Sequence, residues 1–267
     1  MPSTVLVRPG AHAMTDLVGV ETRPGLAILT LNRAERRNAL SIGLLDALLE
    51  RIAVLEADAS TRVVILRGSG PVFSAGLDLT EAADSTLAES AAQHVAKTLH
   101  TIRHSRLVFI AAIHGGAYAG GAGLAAACDM TVMTLDAKIG FPEARRGLLP
   151  ALVCEVLREK IRAGDLADLF LVGEPIDAAR AQAIGLAQRV VPAERLLDEA
   201  LSMAGGILAG GPRTITLTKA LLRRTFASTP EKDAPSPLAE HLAARHSPEA
   251  TEGLQAFLDK RPPRWCT

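Results

Sequence analysis

Apolar residues in the first half of the chain fall into short runs that read as strands. Residues 26–31 (LAILTL), 63–67 (VVILR), 108–113 (VFIAAI) and 130–134 (MTVMT) are aliphatic or β-branched and too short for helices. Residues 17–21 form a further strand, and Pro24-Gly25 between it and 26–31 is a turn pair, so the two predict a hairpin. The spacing then changes. Leu44, Leu45, Leu48, Ile52 and Leu55 recur every three or four positions, which predicts a helix through about Ala57 with Ser41 as its N-cap. Helical segments are also expected at 87–103 and 121–127, between the later strands. Beyond Pro150 the pattern is almost wholly helical, at 151–163, 166–171, 177–184, 193–209 and 213–225. Residues 229–237 (TPEKDAPSP) read as a polar linker, and 238–260 as a final helical pair.

This order predicts an α/β chain with three regions: a flexible tail at 1–15, a core at 16–205 and a helical C-terminal region at 206–267. Composition narrows the function. The chain has 267 residues, is 48% apolar, carries no formal net charge and is only 3% aromatic, so aliphatic side chains must fill its core. Its basic residues are scattered, without the clustered face of a nucleic-acid binder. No apolar run is long enough to cross a bilayer, and no secretory leader is evident. Cys128, Cys154 and Cys266 are odd in number and lack metal-ligand spacing, which fits a reducing cytoplasm. A small molecule is the expected partner, with neither nucleic acid nor membrane.

Two glycine-containing stretches carry the candidate chemistry. Phe73-Ser74-Ala75-Gly76-Leu77-Asp78-Leu79 follows one apolar strand, and residues 113–124 (IHGGAYAGGAGL) follow another. Each strand exit offers a backbone N–H unobstructed by bulk. Two such exits about 40 residues apart can polarise one carbonyl oxygen, as an oxyanion hole made of main chain.

These stretches resemble the signatures of the crotonase (enoyl-CoA hydratase/isomerase) superfamily. FSAGLDL is similar to its F-x-A-G-x-D-[LI] segment, and HGGAYAGGAGLAAACD to its glycine cluster ahead of a helix ending in Cys-Asp. Three further stretches agree in order along the chain. They are LNRAERRNAL at 31–40, with Ala34 in place of the usual proline, AKIGFPE at 137–143, and GLQAFLDKRPPRW at 253–265. The resemblance implies a crotonase spiral of ββα repeats with two roughly perpendicular sheets. Its helical C-terminal region would serve trimerisation, in a homotrimer or a dimer of trimers.

It also implies roles. The oxyanion donors would be the N–H groups of Leu77 and Gly120, with the helix beginning near Gly121 adding a positive potential. Glu143, after Pro142, would be the general acid/base, its pKa raised by an apolar setting from Ile139, Phe141, Leu148 and Leu149. Ala39, Ala75, Asp78, Leu79 and Tyr118 would bracket the thioester, adenine and acyl chain. Arg36, Arg37 and Lys260, the last from a neighbouring subunit, would meet the CoA phosphates. No cofactor is implied beyond coenzyme A as part of the substrate. Asp78 reads as chiefly structural, His114 as a satisfied core histidine, and Asp129 as paired with a nearby donor.

One position departs from the family pattern. Two-glutamate hydratases carry a second Glu three residues after the glycine donor, and here that position is Gly123. Single-glutamate relatives are isomerases, or hydratases of branched acyl groups such as 3-methylglutaconyl-CoA, which AGGAGLAAACD and EARRGLLPALV resemble most. The expected activity is a CoA-dependent lyase hydrating a 2-enoyl thioester, with an isomerase or a non-catalytic CoA binder as alternatives. Arg145 or Arg146 is a candidate partner for an acid-bearing acyl chain, and Gly123→Glu is expected to restore the second acid if there is room.

Overall fold

The computed structural model describes residues 17–146, 148–226 and 248–266. The expected tail at 1–15, the linker at 229–237 and the first part of the last helical pair lie outside these residues.

Six strands form the main sheet, in the order β1-β2-β3-β4-β6-β9. These are β1 (Val18–Arg23), β2 (Leu26–Leu31), β3 (Val63–Gly68), β4 (Val108–Ile113), β6 (Met130–Thr134) and β9 (Arg189–Val191). The hairpin β1–β2 is antiparallel, with Arg23 opposite Leu26 and Gly25 at φ +75°, and all the other pairings are parallel. Strands β2 to β4 are apolar without interruption because both faces are covered. One face, with Ala27, Leu29, Val64, Leu66 and Phe109, packs on helices α1 (Ile42–Ala57), α3 (Ala88–His104) and α4 (Gly120–Ala127). The other, with Ile28, Ile65 and Ile110, packs on α8 (Leu196–Leu208) through Ala200 and Ala204.

Helix α1 follows its sequence pattern closely. The Ser41 hydroxyl accepts from the Leu44 N–H, and the helix buries Leu44, Leu45, Leu48, Ile52 and Leu55. The second sheet that the resemblance implies is built of three short strands that the sequence pattern does not place: β5 (Gly116–Tyr118), β7 (Lys138–Gly140) and β8 (Ile176–Asp177). Segments of two or three residues are too short to show a period, and β9 escaped for the same reason. The helices expected at 151–163 and 166–171 are α5 (Ala151–Leu157) and α6 (Ala163–Leu171), with the break between them earlier than the pattern predicts. The turn between them lets the Lys160 ammonium reach the carbonyls of Cys128 and Asp129 at the end of α4, a tertiary contact that overrides local helix propensity. Helix α7 (Ala178–Ala183) starts from Asp177, whose carboxylate accepts from the Arg180 N–H, and α9 (Pro212–Phe226) follows α8.

Candidate functional site

Asn38 organises the first glycine stretch. Fully buried and held at φ +52°, it donates from Nδ2 to the carbonyls of Ser69, Val72 and Phe73 at 2.8, 2.9 and 3.1 Å. Its Oδ1 accepts from the Arg33 N–H, and its own carbonyl accepts from the Ser74 hydroxyl. The strand exit is thereby fastened to the 33–41 loop. Sequence reasoning gave that loop a phosphate-binding role and missed its scaffolding one, which no local sequence pattern marks. Asn38→Ala should cost about 3 kcal/mol or more, since it strands several buried carbonyls and places alanine at positive φ. Urea denaturation measures it.

Leu77 pairs with Leu40 in an isolated parallel bridge. Leu40 N–H donates to Gly76 O at 2.8 Å, and Asp78 N–H donates to Leu40 O at 3.3 Å. These two bonds use the edge facing Leu40, so the Leu77 N–H points the other way, toward the start of α4. A Cβ placed on Gly120 would lie 3.8 Å from Leu77 N, and one on Gly76 would lie 3.4 Å from Gly120 N. Gly76 is at φ +93°, and its Cβ would also strike Tyr118 O at 2.6 Å, so only glycine permits this approach. Among the described residues neither the Leu77 nor the Gly120 N–H is engaged in a hydrogen bond. Gly120 opens α4, a helix buried throughout, so its N-terminal positive potential is little screened. Two main-chain donors thus converge on one point beside a helix N-terminus.

The acid arrives from the neighbouring strand. β7 runs parallel to β5, and the Ala119 N–H donates to Gly140 O at 2.8 Å, joining the α4 start to the chain three residues before Glu143. Glu143 is buried, with Oε2 sealed from solvent, and Pro142 fixes its approach. Ile139 and Phe141 are buried as expected, with Phe141 edge-on to Phe170 at 5.4 Å between ring centroids. Leu148 and Leu149 depart from the expectation. They are 47% and 85% exposed, because the chain turns outward after Glu143 to begin α5. A buried carboxylate on a segment bonded to the start of α4 suits proton transfer next to a carbonyl whose oxygen gains charge.

The other candidates divide. Asp78 caps the short helix α2 (Leu79–Ala83) by accepting from Thr80 N–H, and it meets Arg33 Nη1 at 2.5 Å. Burial pushes its carboxyl up, but the Arg33 guanidinium and the Thr80 N–H more than offset this and hold it below the usual range. Asp78 is therefore a fixed anion that braces the loop. Ala39 and Ala75 are half-buried in the same cluster, with Ala75 N–H donating to Arg37 O at 2.9 Å, while Leu79 is exposed at its mouth. Tyr118 is half-buried, and its ring folds back over Gly116, where a Cβ would lie 2.7 Å from Cε2. Arg36 and Arg37 are exposed on the adjoining loop. Lys260 is exposed past the C-terminal helix (Pro248–Leu258), and no contact among the described residues ties it to the donors.

Asp129 is paired, accepting from Phe109 N–H at 2.7 Å and from Lys219 at 2.8 Å. His114 is half-buried and bonded through Nε2 to Gly70 O at 2.8 Å. Arg145 lies at the surface, bonded to Glu174 and to the Val172 carbonyl, and is occupied there. Burial pushes the Cys128 thiol up to about 12, so it is no nucleophile. Gly123 is not an open position, because a Cβ there would lie 2.4 Å from Val153 Cγ1 of α5. The room that Gly123→Glu requires is therefore filled. A cavity of about 320 Å³ lies at the far end of α4, between Cys128, Lys160, Lys219 and Phe226. Arg103 pairs there with Glu159, and Lys219 with Asp129.

Comparison with known proteins bears on the family and the fold. The family model for enoyl-CoA hydratase/isomerase matches residues 21–267. A Thermus thermophilus relative named after enoyl-CoA hydratase is 36% identical over 245 residues, covering 90% of this chain and 97% of its own. The 2,3-dehydroadipyl-CoA hydratase of Escherichia coli is 30% identical, covering 94% and 98%. The enoyl-CoA hydratase structure from Mycobacterium smegmatis superimposes with a TM-score of 0.87 at 32% identity, over 94% of this chain and 99% of that one. Pseudomonas aeruginosa DspI gives 0.88 at 29%, over 97% and 100%.

Proposed function

Because the chain belongs to the enoyl-CoA hydratase/isomerase family and shares the crotonase fold, we propose that it reversibly adds water across the double bond of a 2-enoyl-CoA thioester. The observation that carries this reading is the close approach of the unengaged Leu77 and Gly120 N–H groups, with the buried Glu143 on the segment that Gly140 ties to the start of α4. Glu143 takes a proton from water as its oxygen attacks the β-carbon. The thioester oxygen, now enolate-like, is held by the two N–H groups, and the proton on Glu143 passes to the α-carbon. Each donor is worth about 3–4 kcal/mol in such a transition state.

Val153 closes off the Gly123 position, so one carboxylate both accepts and returns the proton. That feature equally supports a double-bond isomerase, in which Glu143 moves a proton from the γ- to the α-carbon. The engagement of Arg145 with Glu174 withdraws support from its use on an acid-bearing acyl chain. The CoA phosphates would lie against Arg36 and Arg37, with Lys260 supplied by a neighbouring copy. A trimer is supported by α9, whose Leu217, Leu221, Leu222 and Phe226 are exposed. No cofactor beyond the CoA of the substrate enters this scheme.

A panel of acyl-CoA thioesters separates the readings. Hydration removes the ultraviolet absorbance of the conjugated enoyl thioester, and isomerisation of a 3-enoyl thioester creates it. Binding with neither change would leave a CoA-thioester binder without turnover.

A further inference from the structure

We propose that Ala119 is a positioning residue for the oxyanion pair, its backbone held in a glycine-like conformation that turns the Gly120 N–H toward the Leu77 N–H. Ala119 sits at φ +49°, ψ −124°, a region that an L residue avoids because its Cβ crowds the backbone. Positive φ alone is not the distinction. Arg37, for example, lies in the ordinary left-handed helical well at φ +52°, ψ +39°. A glycine would meet no penalty at position 119, and the chain places glycines at 115, 116, 120, 121 and 123 around it. Alanine nevertheless stands here.

Three contacts hold it. Its N–H donates to Gly140 O at 2.8 Å, its carbonyl accepts from Gly123 N–H at 2.9 Å, and its buried methyl group packs against Gly76, where a Cβ would lie 3.0 Å away. The surroundings thus impose the conformation, as is typical of strained residues at functional sites. The consequence for chemistry is direct. The angle ψ of Ala119 sets the plane of the Ala119–Gly120 peptide, and the N–H of that plane is one of the two donors. Rotation by half a turn would present a carbonyl to the substrate oxygen instead. The methyl, wedged against Gly76, and the Gly123 N–H bond to the carbonyl of that same peptide resist the rotation, while the Ala119 N–H bond to Gly140 O keeps the preceding peptide in register with the segment carrying Glu143. Ala119 therefore fixes donor to donor and donor to acid at once.

This rests on the oxyanion reading of the site, and the experiment separates the two. In Ala119→Gly the backbone is relaxed and the wedge removed. Three quantities are measured: the melting temperature, kcat and KM on the best enoyl-CoA, and the carbon-13 shift of a bound saturated acyl-CoA labelled at the thioester carbonyl. The variant is expected to melt within a few degrees of wild type or above it, because lost strain offsets the entropy of glycine. Its kcat should fall about tenfold or more with KM nearly unchanged, since misdirected donors cost rate and not ground-state affinity. The carbonyl shift should move toward that of the free thioester. Ala119→Ser keeps the wedge and should retain both kcat and shift. A folded Ala119→Gly protein with wild-type kcat and shift overturns the proposal, as does a Ser variant impaired as much as the Gly variant. A wild-type protein that neither polarises the carbonyl nor turns over any thioester overturns the oxyanion reading itself, and Ala119's role with it.

Discussion

Glu143→Gln is expected to lower kcat about a hundredfold or more, the usual scale for losing a general acid/base, while thioester affinity stays nearly unchanged. The substitution keeps the volume and hydrogen-bonding capacity of the side chain and removes only its ability to carry a proton. Glu143 is buried, so an isosteric amide should leave its packing intact. Gly123 is closed by Val153, and Asp78 is held as an anion by Arg33 and Thr80, so no other acid in the cluster is free to take over the proton. The expected kinetic signature is a drop in kcat and kcat/KM together, with the bound thioester still polarised by the Leu77 and Gly120 N–H groups. Steady-state kinetics and CoA-thioester binding by calorimetry check it. Near-normal turnover would move the chemistry to Tyr118 or Asp78.

Much of the fold and of the site was legible in the sequence, for reasons that differ by residue. Helix α1 could be read to its cap and its five buried side chains because a surface helix must repeat its apolar positions every three or four residues. Strands β2, β3, β4 and β6 could be read as short, mainly apolar runs because the sheet is covered on both faces there. The close approach of the two glycine stretches was legible from the glycines it requires, and Gly76 proves to be such a position. What escaped depends on partners distant in the chain. Strands β5, β7, β8 and β9 exist only through their neighbours, and the early end of α5 follows from Lys160 reaching the end of α4. Exposure after Glu143 was misjudged because Leu148 and Leu149 look like core residues by type alone. Asn38 was passed over because a scaffold amide has no spacing signature, only a set of carbonyls that the fold brings to it.

Gly123→Glu is expected to destabilise the protein severely and to bring no gain in hydration of crotonyl-CoA. The sequence pattern alone invited the opposite expectation, a second carboxylate restored one helical turn beyond Gly120. The side chain would have to start 2.4 Å from Val153 Cγ1, closer than real Cβ atoms approach, with Leu99 Cδ1 3.9 Å away. Helix α4 cannot back away, because a Cβ on its neighbour Gly121 would already lie 2.6 Å from Ser74 Oγ. Overpacking, together with a carboxylate driven among valine and leucine, should cost about 3–5 kcal/mol, which lowers Tm by roughly 10 °C in a chain of this size. Removing the obstruction should reverse the loss. Val153→Gly in the same protein opens the position, so the double variant should melt above the Gly123→Glu single variant although each change alone is destabilising. A carboxylate seated there would interact with Glu143, and the pH profile of kcat/KM should then show two coupled ionisations in place of one. Thermal melts of the four proteins in this cycle decide the packing claim, and pH–rate profiles decide the chemical one. A Gly123→Glu protein that melts with the wild type and hydrates crotonyl-CoA briskly would show that α5 yields where the geometry says it is closed.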